Sequence, residues 1–141
     1  MNKKTPGALA ALVCLGACTS VTVNPVDPSY SMKAVCIQEN PKVQVSDFVP
    51  VLRDGFARHA ITTRLYSGPI PDTCEYVLTY TALRSWDLVP YLSHAELRIE
   101  KGDRQIAYAE YHLNGKGGLS PTKWAGTREK MDPVIDALLK R

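Results

Sequence analysis

Most of the signatures by which a sequence announces a reaction are missing from this chain. It has no GxSxG nucleophile turn and no CxxC pair. Its glycine-rich stretch Asn114-Gly115-Lys116-Gly117-Gly118-Leu119-Ser120 puts the lysine before Gly117. A phosphate loop needs GxxxxGK followed by Ser or Thr at a helix start, so that reading is excluded. The glycines serve instead to bend the chain sharply ahead of the last helix. His94-x-Glu96 lacks the PCxxC half of a zinc deaminase. No apolar run reaches the roughly 20 residues of a permanent membrane-spanning helix. There is no internal repeat and no low-complexity block. Charge of one sign is also scarce: 17 Lys and Arg against 14 Asp and Glu leave a net +3, which gives no argument for nucleic acid.

What is present begins at the N-terminus. Lys3 and Lys4 form a charged head, and a short apolar run from Ala8 to Ala17 follows, broken by Gly16. A charged head, an apolar core and small residues at its end make a secretory signal. The stretch Leu15-Gly16-Ala17-Cys18 resembles the bacterial lipobox. That resemblance implies cleavage before Cys18, attachment of diacylglycerol to its thiol and acylation of the freed amine. One acyl chain holds a protein to a bilayer only weakly, whereas three hold it essentially for good. Thr19 follows the cysteine where enteric-type sorting would need Asp for inner-membrane retention, so the expected site is the outer membrane, on its periplasmic side. The expected division is a cleaved signal at 1–17, the lipidated cysteine and a tether at 18–32, and one domain at 33–141. The membrane, through the acyl chains on Cys18, is the first expected partner. No cofactor beyond that lipid is expected.

Removing residues 1–17 leaves 124 residues, enough for one domain with a core, and takes Lys3 and Lys4 with it, so the net charge falls to +1. Export and near-neutrality together argue against nucleic acid. Cys14 leaves with the signal and Cys18 is spent on lipid. Cys36 and Cys74 remain in an oxidising compartment and read as one disulfide. Their 38-residue loop would stabilise by roughly 3–4 kcal/mol in the chain-entropy account.

Residues 19–32 hold two kinds of signal. Prolines and hydroxyl residues suit a tether, while Val21 and Val23 suit a short edge strand. Lys33 to Gln38 reads as a strand, closed by Asn40-Pro41. Ser46 or Asp47 can cap a helix to about Ala60, with Phe48, Val51, Leu52 and Phe56 as its buried stripe. Ile61–Tyr66, Cys74–Trp86, Tyr91–Glu100 and Arg104–Leu113 read as further strands, with turns at 67–73, 87–90 and 101–103. Ala95, Leu97 and Ile99 alternate with His94, Glu96 and Arg98, and Ala107, Ala109, Tyr111 and Leu113 form the matching apolar face. A last helix over about 127–140 has Met131, Val134, Ile135, Leu138 and Leu139 as its stripe, and Asp132-Pro133 as an internal cap or kink. The expected fold is α+β. It is a mostly antiparallel sheet of about five strands with two helices on one face, in the order strand, helix, four strands, helix.

The lipobox followed by Ser20-Val21-Thr22-Val23, the segment Glu39-Asn40-Pro41-Lys42-Val43, the run Tyr76–Trp86 and the stretch Ala109-Glu110-Tyr111-His112-Leu113 resemble a small family of proteobacterial lipoproteins of the Sbal type. The resemblance spans nearly the whole chain. It implies lipidation, an envelope location and a single small domain, and carries no catalytic residues.

Two constellations remain as candidate sites. If the hairpin turn centres near Asp103, His94 faces His112 and Glu96 faces Glu110, about 5 Å apart. Two imidazoles and two carboxylates in that arrangement suit zinc. Glu96 and Glu110 alternatively suit glycan cleavage as acid and nucleophile. Against both stands a plain solvated sheet face, where mixed charge is normal. Tyr76, Tyr80, Trp86 and Tyr108 suggest a partner-binding surface on the open face, against the simpler reading as core and sheet filler. Taken together, these features favour a non-catalytic lipoprotein that presents its domain to a periplasmic or outer-membrane protein.

Overall fold

A computed structural model describes residues 18–140. The expected signal at 1–17 lies outside the described residues. From Thr19 onward the backbone forms strands β1 (Thr19–Asn24) and β2 (Ala34–Gln38), helix α1 (Phe48–Arg58), strands β3 (Thr62–Tyr66), β4 (Tyr76–Asp87), β5 (Val89–Lys101) and β6 (Arg104–Leu113), two short 3₁₀ turns (Asn114–Gly117 and Pro121–Trp124), and helix α2 (Thr127–Leu138). The fold is α+β, as expected.

The strands make one six-stranded sheet in the order β1-β6-β5-β4-β2-β3. The strand beyond the expected five is β1. Residues 19–24, placed above within the tether, pair antiparallel with β6 from Thr19–Leu113 to Asn24–Tyr108. The alternation Val21-Thr22-Val23 supplies the edge with residues suited to a pleated surface, and pairing satisfies β6's outer row of backbone groups. The sheet is also more mixed than expected. β2 runs parallel to both β3 and β4, because α1 returns the chain to the same end between β2 and β3, and residues 67–75 return it again between β3 and β4. Only the long β4-β5-β6 meander and β1 are antiparallel.

The two helices pack together over one sheet face. Phe48, Val51, Leu52 and Phe56 of α1 and Met131, Val134, Ile135 and Leu138 of α2 are buried, with Leu139 just beyond the helix, so both expected stripes form the core. Across from them lie Leu78, Tyr80, Ala82, Ala95, Leu97, Ile99, Ala107, Ala109 and Tyr111. The helices approach closely at Gly55, where a Cβ would stand 2.8 Å from Ile135 Cγ2. Asp47 begins α1 without capping it through its side chain. Its Oδ1 instead accepts a 2.8 Å hydrogen bond from the Thr127 hydroxyl at the start of α2. Pro133 neither caps nor ends α2, which runs through it. Proline removes one amide bond to the carbonyl four residues back, and Pro133 lies on the solvent side, where water can take that carbonyl.

The Cys36–Cys74 disulfide forms, with Cα atoms 6.0 Å apart. It ties β2 to the residues leading into β4.

Candidate functional site

The face of the sheet away from the helices carries the polar band expected from the alternation. His94 pairs with His112, Glu96 with Glu110 and Arg98 with Tyr108 across β5 and β6. The hairpin turns at Gly102-Asp103, with Gly102 at φ +58°, a conformation that glycine adopts without strain, and a one-residue shift between Ile99 and Glu100 then brings the two strands into this register.

These side chains interact mainly along their own strands. His94 Nδ1 lies 3.1 Å from His112 Nδ1, with the rings edge to face. One nitrogen donates and the other accepts, so the contact requires at least one unprotonated nitrogen. His94 Nε2 lies 3.2 Å from Glu96 Oε1, and Arg98 binds the other oxygen of the same carboxylate. On β6, the Tyr108 hydroxyl donates to Glu110 Oε2 at 2.7 Å, and the Arg98 guanidinium lies 5.5 Å from the Tyr108 ring centre.

Two like-charged glutamates face each other here, an arrangement that is unfavourable without partners. Burial pushes the Glu96 carboxyl up, but its bonds to His94 and Arg98 outweigh burial and hold it below the ordinary carboxylate range. A general acid for glycan cleavage needs the opposite shift. The hydrogen bond to Glu110, helped by burial and the nearby carboxylates, pushes the Tyr108 hydroxyl up to about 12. The sheet therefore brings His94, Glu96, Glu110 and His112 together as expected, but each carboxylate is engaged by a residue of its own strand. Among the described residues, no group of three or more His, Cys, Asp or Glu is gathered so as to hold a metal ion.

The four aromatics expected on one surface separate. Tyr76 and Tyr80 point into the core. Tyr76 meets Tyr30 edge to face at 6.4 Å, and Tyr80 packs against Phe48 at 5.6 Å. The Tyr80 hydroxyl also accepts a bond from the Asn40 amide. Even-numbered positions of β4 face the helices, as the alternation with Leu78 and Ala82 requires. Tyr108 lies half-buried on the polar face. Trp86 stands apart at the end of the β4-β5 hairpin, beyond a register shift between Leu83 and Arg84.

Sequence pattern marks that hairpin end only as a turn at Asp87–Pro90. The chain reverses at Leu88, with φ +62°, between Asp87 and Val89. The available signal is an apolar turn, since Leu88 and Val89 occupy positions that turns ordinarily give to polar residues. Two buried lysines likewise leave no mark in the sequence pattern. Lys123 Nζ donates to Asp87 Oδ2 at 2.5 Å and to the Gly118 carbonyl at 2.9 Å. Lys130 Nζ donates to the carbonyls of Leu92, at 2.9 Å, and Lys123.

No family model matches the chain, and no characterised protein matches it in sequence. The Sbal-type resemblance therefore rests on the residues quoted for it. Among solved structures, the chain is similar in fold to a PelC dodecamer from Paraburkholderia phytofirmans and to a single-residue variant of that protein. The variant aligns with a TM-score of 0.59 at 10% identity, covering 86% of this chain and 99% of that one. The unsubstituted PelC aligns at 0.57 with the same identity and coverage. At that identity the likeness shows a shared fold. A minor lipoprotein from Acinetobacter baumannii aligns at only 0.33, with 16% identity over 76% of this chain and 86% of that one, and carries no argument.

Proposed function

We propose that this protein is a lipid-anchored component of the bacterial envelope that binds a protein partner through the uncovered face of its sheet and catalyses no reaction. The observation that carries the reading is that face itself. Both helices lie on the other side, leaving His94, Glu96, Arg98, Tyr108, Glu110 and His112 as a connected polar band on a rigid antiparallel hairpin. Polar groups already oriented by one another lose little freedom on binding, which suits recognition. The anchor rests on the leader ending in Leu15-Gly16-Ala17-Cys18, and the outer-membrane, periplasm-facing location on Thr19. PelC, which shares the fold, assembles as a dodecamer, so a second copy of this chain is one candidate partner.

In-cell photocrosslinking tests the reading. Photoreactive residues at Tyr108 and His112 should yield a dominant protein adduct, and one at buried Tyr80 should yield none. An adduct of twice the subunit mass identifies self-assembly. Absence of any adduct from the open face, with the protein expressed and membrane-bound, contradicts partner binding there. It would return attention to the zinc reading, of which the His94–His112 pair at 3.1 Å is the surviving part.

A further inference from the structure

The end of the sheet where the described chain begins also gathers several of its exposed large apolar side chains. Trp86 is 73% exposed, Leu88 80%, Val89 51% and Leu119 100%. Side chains of this size scattered singly over a surface need no explanation, but a cluster at one end does. Trp86, Leu88 and Val89 surround the β4-β5 turn. Leu119 comes from the loop after β6, and the buried Lys123 ammonium holds the two segments together by bonding both the Asp87 carboxylate and the Gly118 carbonyl. The Trp124 indole N–H adds a 2.9 Å bond to the Asp87 carbonyl, and the Tyr91 hydroxyl bonds the Lys116 carbonyl at 3.0 Å. The apolar residues are thus displayed from a braced platform.

Strand register places Cys18 at the same end. Thr19 pairs with Leu113, and the Cys18 carbonyl accepts the Asn114 amide at 2.8 Å. His112 in turn pairs with His94, beyond which β5 continues back to Val89 at the hairpin end. The hairpin overhangs Cys18 by about four residues, on the order of 13 Å of strand, and Cys18 sits roughly 10 Å to the side. A tilt of the sheet brings both onto one plane. The charge is of the right sign for a phospholipid surface. Asp87 is the one acidic residue in 83–92 and 114–126, against Arg84, Lys116 and Lys123, and Lys123 neutralises it.

We propose that this apolar end is a membrane-docking edge, in which Trp86, Leu88, Val89 and Leu119 enter the interfacial region of the phospholipid leaflet that holds the acyl chains of Cys18. It rests on the anchored reading given above and adds a second point of contact. The acyl chains hold the domain at the bilayer and the hairpin end fixes its tilt. Tryptophan beside aliphatic residues and flanking cations is the composition that settles at the lipid–water boundary.

The test uses the full lipidated chain carrying Trp124→Phe, which leaves Trp86 as its single tryptophan and, although it gives up the indole bond to Asp87, keeps the Lys123 and Tyr91 bonds that tie the two segments. The protein is reconstituted in phosphatidylethanolamine–phosphatidylglycerol vesicles with brominated acyl chains, and its mass is measured after flotation. Trp86 emission should shift to the blue and fall about twofold through contact with the brominated chains, as an interfacial tryptophan does. Adding Leu88→Asp and Leu119→Asp should abolish the quenching while the protein still floats. Trp86 that is quenched by aqueous acrylamide and untouched by brominated chains, in floated protein, would overturn the proposal. So would a blue shift that depends on protein concentration and not on lipid, which would mark a protein interface. The anchor stands or falls separately: quenching with an unacylated Cys18 upholds the docking edge and refutes the anchor, whereas an acylated Cys18 without quenching does the reverse.

Discussion

Lys130 takes its ammonium into the interior between α2 and the β5 end of the sheet. Its hydrogen-bond acceptors there are the carbonyls of Leu92 and Lys123, and its charge lies 5.5 Å from the Tyr91 ring centre. Carbonyl and ring dipoles return only part of the hydration the charge gives up. Burial therefore pushes the Lys130 ammonium down to about 8, against a small opposing pull from Glu129. A depressed lysine penalises the fold while it is charged, and the penalty lifts as pH rises from the folded value toward the unfolded one. The expected outcome is a Lys130-dependent rise in the urea midpoint between about pH 8 and about pH 10. Comparing the wild type with Lys130→Met isolates it. A pH profile identical in the two proteins would show that Lys130 is not desolvated as described. Residues such as Lys123 and Lys130 are hidden in the sequence because lysine is ordinarily a surface residue. The carbonyls that receive them are brought together only by the folded loop. Tyr76 and Tyr80 escape sequence pattern for a related reason: the alternation says that they share a face but not which face, and it is the helices that decide.

At the scale of elements, strand alternation and helical stripes are legible because they record burial directly. Leu97 and Ile99 inward against Glu96 and Arg98 outward set the register of the central hairpin, and that register puts His94 opposite His112. The edge strand β1 is harder to read, since its hydroxyl residues and flanking prolines suit a tether as well as a strand. Its pairing is decided by β6, a partner some ninety residues away in the chain. The parallel pairing of β2 is likewise invisible in local pattern, because it depends on where α1 returns the chain. The helix pair depends on a missing side chain. Gly55 faces Ile135 so closely that even a methyl group would overlap it. Overpacking a well-filled core commonly costs 1–3 kcal/mol, so Gly55→Val should destabilise by about 2 kcal/mol. Urea denaturation of Gly55→Val, alone and with Ile135→Ala, checks this. The double variant should lose less than the sum of the single losses, because Ile135→Ala makes room for the valine. Strict additivity would contradict the close approach.

The molecule as a whole has two differently built sides and one distinctive end. Helices cover one side of the sheet. The other side is a polar band whose members are mostly committed to neighbours on their own strand, which favours recognition over proton transfer at Glu96. The distinctive end combines Cys18 with the braced apolar hairpin, and the separation of these parts is only half visible in the sequence. The expected leader and the polar band can be read from local pattern. The coincidence of Cys18 with Trp86 and Leu88 at one end depends on three strand pairings, which no local window contains. The envelope location proposed for the molecule assumes that Cys18 carries a lipid anchor.

The most direct test of that assumption is the intact mass of the native protein extracted from cell membranes. Cleavage before Cys18, with a diacylglyceryl group on its thiol and an acyl chain on its amine, is the expected result. A chain that begins elsewhere, or that carries a free Cys18 thiol, would contradict the lipid anchor.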